Sequence, residues 1–152
     1  KETVDLNLFL PDVVRKASSL AKRREVEVVL DCSLQQAEVF VDAEKIQQAL
    51  DNLFFNALAF TPQPGKIIIR AKNIEGGIQI EVEDSGPGVP PEDEHKDFDP
   101  FFRNKQSNEG SSREVGLGLG ISRRIIDKHN GTLGVENSPE GGAIFFITIP
   151  YA

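Results

Sequence analysis

The chain has 152 residues, 39% of them hydrophobic, with a single cysteine and a formal charge of −7. That length suits one domain, 1–152, with its own core, since about 100–200 residues per domain is usual, and the acidic balance excludes a surface that neutralises nucleic-acid phosphates with clustered Lys and Arg. Cys32 has no second thiol to pair with, so the cytoplasm is the expected compartment. No apolar run approaches the roughly 18–20 residues of a membrane helix and no secretory signal precedes Asp5, so no membrane contact is expected from this domain. The lack of any methionine and a start in mid-pattern at Lys1 predict a piece of a longer protein.

In chain order, Asn7 is placed to cap a first helix running to about Arg24, with Leu8, Val13, Val14, Ala17, Leu20 and Ala21 near helical spacing and Pro11 tolerated in the opening turn. Val26, Val28 and Leu30 alternate as a strand, and Val39 to Val41 form a shorter one. Asp42 then caps a long helix whose apolar stripe is Ile46, Ala49, Leu50, Leu53 and Ala57. Thr61-Pro62-Gln63-Pro64-Gly65 ends it. Strands Lys66 to Lys72 and Ile78 to Asp84 follow, joined by a glycine-containing hairpin loop from Asn73 to Gly77. Residues 85–115 are rich in Pro, Gly, Ser and acids without periodicity, as expected of a functional loop or lid. A last helix is expected from about Leu119 to Asn130, ended by a left-handed Gly131, and strands Thr132 to Glu136 and Ala143 to Ile149 close the chain. The sum is an α+β fold: a two-layer α/β sandwich in which three main helices cover one face of a mixed, largely antiparallel sheet.

Three constellations carry chemistry. In "DSGPGVP", Asp84 shares its strand face with Ile78, Ile80 and Val82, so its carboxylate faces the apolar layer and needs donors or a pocket mouth. It is read either as a turn former binding backbone amides ahead of Gly86, or as an acceptor for an exocyclic amino group such as that of adenine, with Gly86 and Gly88 leaving room for a flat ring. Gln48, Asn52 and Asn56 recur every four residues as an amide stripe beside the apolar one. Each singly is read as solvated or bound to nearby backbone; together they offer a hard neutral oxygen for Mg²⁺, with Asn56 the metal candidate. "GLGLGIS" sets Gly116, Gly118 and Gly120 before a helix, where backbone amides could approach phosphate, although no Walker or Rossmann spacing is present.

In order, "NLFFNALAFT", "DSGPGVP", "FDPFFRNK" and "GLGLGIS" resemble the N box, first glycine box, phenylalanine box and second glycine box of the ATP-binding catalytic domain of sensor histidine kinases. "VDLNLFLPDVV" is similar to the segment that follows the family's dimerisation domain, and "GTLGVENSPEGGAIFFITIP" to its closing strands. The resemblance implies the Bergerat fold shared with gyrase, mismatch-repair and chaperone ATPases. It implies that Asp84 binds the adenine amino group, that Gly86 and Gly88 shape the pocket floor, that Asn56 holds Mg²⁺ and that Asn52 faces the triphosphate. Phe60 would cover the adenine, with Phe98, Phe101 and Phe102 anchoring the lid and Arg103 and Lys105 reaching the phosphates. Gly116, Leu117, Gly118, Leu119 and Gly120 would hinge the lid and cradle phosphate oxygens.

The chain departs from that pattern at Ala59, where a Lys is usual, and at Glu114, where the second glycine box normally begins. Related ATPases carry a glutamate general base one turn before the metal-binding Asn; here Asn52 stands there and cannot take a proton, so no general base is identified and hydrolysis is expected to be slow. His95 and His129 lack the setting of a phosphoacceptor. The expected activity is therefore transfer of the γ-phosphoryl of Mg-ATP to a histidine on a separate dimerisation domain, with a response regulator as an indirect partner. Three alternatives are a regulatory module with decayed kinase activity, a hydrolysing ATPase, and a serine kinase of the anti-sigma-factor type.

Overall fold

The computed structural model describes residues 1–86, 110–139 and 141–152, with 110–118 given by their backbone alone. Among these the elements run β1 (Glu2–Asp5), α1 (Leu6–Lys22), β2 (Val26–Cys32), β3 (Glu38–Val41), α2 (Ala43–Phe60), β4 (Gly65–Ile74), β5 (Gly77–Asp84), α3 (Gly110–Lys128), β6 (Thr132–Asn137) and β7 (Ala143–Pro150). The main sheet has the order β2-β4-β5-β7-β6, parallel only between β2 and β4. The three helices pack on one face of it, as the patterning predicts. No described helix is long and apolar enough to cross a membrane.

The first helix starts differently from the expectation. Asp5, not Asn7, is the N-cap, its carboxylate accepting from the Asn7 amide at 2.9 Å. The cause is β1, which pairs antiparallel with β3 through Glu2↔Val41 to Asp5↔Glu38 and keeps the chain extended up to the cap. Asn7 instead ties the helix to the β2–β3 connection, donating from Nδ2 to the Leu34 carbonyl at 3.1 Å and accepting at Oδ1 from the Leu34 amide at 3.3 Å. The buried stripe accordingly runs Leu6, Leu10, Val13, Ala17 and Ala21, and the expected core residues Leu8 and Leu20 are 73% and 42% exposed.

The second helix follows the expectation: Asp42 caps it by accepting from the Lys45 amide at 3.2 Å, and Ile46, Ala49, Leu50, Leu53 and Ala57 are all buried. It stops where the Thr61 hydroxyl donates to the Ala57 carbonyl at 2.8 Å, ahead of Pro62. The sheet supplies the opposite wall with Ile67 and Ile69 of β4, Ile78, Ile80 and Val82 of β5, and Ala143, Phe145, Ile147 and Ile149 of β7. Burying each of these larger aliphatic side chains contributes roughly 1.5–3 kcal/mol, so the sandwich interior dominates the stability.

The third helix begins at Gly110, well before Leu119, so Gly116, Gly118 and Gly120 lie inside it rather than ahead of it. Each interior glycine costs a helix about 1 kcal/mol relative to Ala, the reason the stretch resembles a loop in sequence. Tertiary packing overrides that preference: Leu119 and Ile126 are buried, and the Ser122 hydroxyl donates to the Ala49 carbonyl of α2 at 3.1 Å. The left-handed residue after the helix is Asn130, at φ 60, not Gly131. Gly131 is needed for a close approach, since a Cβ there would lie 1.9 Å from the Thr148 carbonyl oxygen.

His129 fastens α3 to the start of α2. It is 7% exposed; its Nε2 accepts from the Asp42 amide at 3.0 Å and its Nδ1 lies 2.7 Å from the Ile125 carbonyl. Only the Nδ1-protonated tautomer satisfies both contacts. His129→Leu should therefore cost about 1–3 kcal/mol by orphaning the Asp42 amide, seen as a fall of several degrees in thermal midpoint.

Candidate functional site

The end of α2 and the end of β5 meet. A Cβ on Gly86 would lie 2.2 Å from the Phe60 carbonyl oxygen, and one on Gly65 would lie 2.3 Å from both the Pro62 carbonyl oxygen and Thr61 Cγ2. The Ser85 hydroxyl oxygen accepts from the Lys66 amide at 3.1 Å, fixing the chain as it leaves β5. The Gly86 contact places the chain immediately after Asp84 directly against the half-buried Phe60.

Asp84 faces inward as its strand alternation predicts, and Asn56, which singly reads as solvated or bound to nearby backbone, is buried without a partner. Asn56 is 2% exposed and Asp84 3% exposed. Asp84 Oδ1 accepts from the Gly86 amide at 2.9 Å and from the Ala143 amide at 3.2 Å. Its other oxygen has no partner, and neither has Asn56 Oδ1 or Nδ2; these three are the buried, unpartnered side-chain N and O atoms among the described residues. Leaving such atoms unpaired costs roughly 1–3 kcal/mol each, so their concentration on two residues makes Asn56 and Asp84 the candidates for ligand contact. Burial pushes the Asp84 carboxyl above its ordinary value, opposed by the Gly86 and Ala143 amides and reinforced by the charge of Glu83.

The amide stripe divides by depth: Gln48 is exposed, Asn52 half-buried and already engaged in an interaction, and Asn56 buried and unpartnered. An unsatisfied amide oxygen fits a hard divalent cation that keeps water and phosphate in its remaining positions. Ala59 is exposed one turn on. Leu119 packs its side chain in the core at 1% exposure, which leaves only its backbone for a ligand. The amides of Gly116, Leu117, Gly118 and Gly120 lie within α3, where the helical ladder uses them, so a phosphate cradle there requires the start of that helix to unwind. Gly88, His95, Phe98, Phe101, Phe102, Arg103 and Lys105 lie outside the described residues.

Concavity alone does not select a site: separate clefts touch Asn52 on α2, Asp84 at the end of β5 and the start of α2. A cleft of about 360 Å³ lined by Lys45, Gln48, Ile121, Arg124, Lys128 and His129 sits at the other end of α2 and holds none of the orphaned atoms. Polar satisfaction is the better guide here, because it reports what the fold leaves for a ligand to complete. Gly142 and Ala143, which wall Asp84 from the β6–β7 turn, escaped the sequence reading; the Gly141-Gly142 pair before β7 was the available signal.

The three-helix, mixed-sheet sandwich is that of a Bergerat-type ATP-binding domain, with Asp84 and Asn56 as its candidate ligand contacts. Comparison with known proteins agrees. Residues 41–152 match the family described as histidine kinase-, DNA gyrase B-, and HSP90-like ATPase. The chain is 32% identical to the adaptive-response sensory kinase SasA of Rippkaea orientalis (strain PCC 8801 / RF-1) over 149 residues, 95% of this chain and 38% of SasA. It is 42% identical to the sensor protein KdpD of Escherichia coli (strain K12) over 113 residues, 74% of this chain and 12% of KdpD. The nucleotide-free catalytic domain of histidine kinase ThkA superposes with a TM-score of 0.81 at 31% identity, over 97% of this chain and 94% of that one. ThkA in complex with the response regulator TrrA gives 0.80 at 30% identity, over 99% of this chain and 41% of that one. The chain belongs to the histidine kinase-, DNA gyrase B- and HSP90-like ATPase family, and within it to the catalytic domains of sensor histidine kinases. It spans well under half the length of the SasA and KdpD sensors.

Proposed function

We propose that this domain binds Mg-ATP and delivers the γ-phosphoryl group to a histidine on the dimerisation domain of its parent sensor kinase, from which a response regulator takes it. The observation that carries the reading is the set of three orphaned atoms on Asn56 and Asp84. Asp84 Oδ2 accepts the adenine amino group, a match of a bare acceptor to a donor. Asn56 Oδ1 holds Mg²⁺, which when bound neutralises charge on the phosphates. Phe60 and Asn52 flank the base and the triphosphate, Gly86 and Gly88 admit the ring, and Phe101, Arg103 and Lys105 belong to the lid over it. Gly116, Leu117, Gly118 and Leu119 meet the phosphates through their backbone once the first turns of α3 have opened.

Phosphoryl transfer at such a site rests on positioning and charge stabilisation. Asn52 in place of a carboxylate keeps water unactivated, so the phosphoryl group awaits the partner histidine. SasA, KdpD and ThkA are named as sensors or histidine kinases, and ThkA is known with a response regulator; this supports the same partners here.

Calorimetric titration of the chain with ATP, with and without Mg²⁺, tests the binding step. Saturable binding strengthened by Mg²⁺, followed by acid-labile labelling of an added dimerisation domain, is the expected result. Absence of binding at millimolar ATP would overturn it and favour the regulatory module, since exposed Ala59 supplies no phosphate contact. Steady phosphate release by the chain alone would favour a hydrolase instead.

A further inference from the structure

Glu83 and Asp84 are consecutive on β5 and therefore leave the strand on opposite faces, yet they are only 7% and 3% exposed. On the outer face Glu83 pairs with Arg70 Nη1 at 2.8 Å and accepts from the Ser138 hydroxyl. On the inner face Asp84 accepts from the Ala143 amide at 3.2 Å. Ser138 and Ala143 sit at the two ends of one turn between β6 and β7. Within that turn the Ser138 amide donates to the Gly142 carbonyl at 2.7 Å and the Gly141 amide to the Ser138 carbonyl at 3.0 Å. Strand β5 thus grips the same turn twice, through Glu83 before it and through Asp84 after it. The turn is pressed so close that a Cβ on Gly142 would lie 1.8 Å from the Asp84 carbonyl oxygen.

We propose that Arg70, Glu83 and Ser138 form a positioning clamp for Asp84, setting nucleotide affinity and the preference for adenine over guanine from the sheet face opposite the ligand. The inference rests on Asp84 being the adenine acceptor. A single oxygen discriminates between the bases only while it is held still: adenine offers an amino donor where guanine offers a carbonyl, and a fixed carboxylate rejects the carbonyl. The Ala143 amide restrains Asp84, Ser138 restrains the turn that carries Ala143, and Arg70 compensates the buried charge of Glu83. The clamp contacts lie on the face of β5 opposite the Asp84 side chain, so its residues act through Asp84 and not on the ligand.

The test is calorimetric titration of the whole chain with ATP and with GTP, alongside thermal midpoints, for the parent, Ser138→Ala, Glu83→Gln and Lys72→Gln. Lys72 pairs with Glu81 at 2.9 Å on the same outer face, and Glu81 also lies 3.4 Å from Arg70 Nη1, so this variant weakens the surrounding ion network while leaving the Arg70–Glu83 pair and the Ser138 contact in place. Ser138→Ala should weaken ATP binding roughly tenfold, the equivalent of one hydrogen bond to a charged group, and lower the GTP-to-ATP Kd ratio. Glu83→Gln keeps an acceptor for Ser138 and should shift both values less; Lys72→Gln should move neither. If Ser138→Ala and Glu83→Gln change only the thermal midpoint, or Lys72→Gln shifts the ratio as much, the clamp is refuted while the nucleotide reading stands. If the parent chain binds neither nucleotide, the nucleotide reading itself falls and takes the clamp with it.

Discussion

Asp84→Asn should weaken ATP binding by about one to two orders of magnitude while leaving the nucleotide-free domain as stable as the parent at neutral pH, or more so. The carboxyl is raised in the folded chain, first by burial, with the Gly86 and Ala143 amides opposing and Glu83 adding to the rise. A carboxyl raised on folding binds protons more readily folded than unfolded. Its ionisation therefore subtracts from stability as pH climbs from the ordinary value near 3.8 through the higher folded one. Asparagine keeps an oxygen for the two amides and carries no charge, so its advantage should vanish in acid and grow across that window. Thermal midpoints measured from pH 3 to 8 would show the two curves diverging; a uniformly less stable variant would refute the account. Binding should fall by about 1.5–3 kcal/mol, roughly 10–150-fold in Kd, because a charge-assisted acceptor is lost and an amide donor can face the adenine amino group. In the parent, ATP affinity should weaken as pH drops through the folded value of Asp84, since protonation removes the same charge.

Asn56→Ala is expected to show the same opposition between function and stability by another route. Both polar atoms of the Asn56 side chain are buried without a partner, and the residue lies within α2. Removing them relieves a penalty of roughly 1–3 kcal/mol, and Ala is also the better helix former. The thermal midpoint of the nucleotide-free domain should rise by several degrees, at about 2–4 °C per kcal/mol for a chain of this size. At the same time the strengthening of ATP binding by Mg²⁺ should disappear. A fall in midpoint would mean that Asn56 is satisfied in solution and serves the core. A retained magnesium effect would move the metal ligand elsewhere. Sites kept ready for ligands commonly trade stability in this way.

The central helix was legible because several local signals coincide there: a capping Asp42, a regular apolar stripe from Ile46 to Ala57, and a stop at Thr61-Pro62. Asp84 was legible for the same kind of reason, its alternation with Ile78, Ile80 and Val82 fixing which face it occupies. The start of α1 was misplaced because β1 has no pattern of its own and exists by pairing with β3. The start of α3 was misplaced because glycines at 116, 118 and 120 have loop-like preferences that contact with α2 overrides.

The amino-acid order by itself therefore determined the succession of elements from α1 onward, the face buried by α2, and the residue types, an amide on α2 and a carboxylate at the end of β5, that carry the unpartnered atoms. These follow from properties with a range of a few residues: helical and strand periodicity, capping and turn chemistry. Only the tertiary structure decided which polar atoms remain unsatisfied. Asp84 Oδ1 is occupied by an amide 59 positions along the chain, and its neighbour Glu83 by a hydroxyl 55 positions along, both brought near by the β5-β7-β6 strand order. A hydrogen bond forms wherever folding places donor and acceptor together, regardless of their separation in sequence, so the atoms left over for a ligand are set by the completed fold.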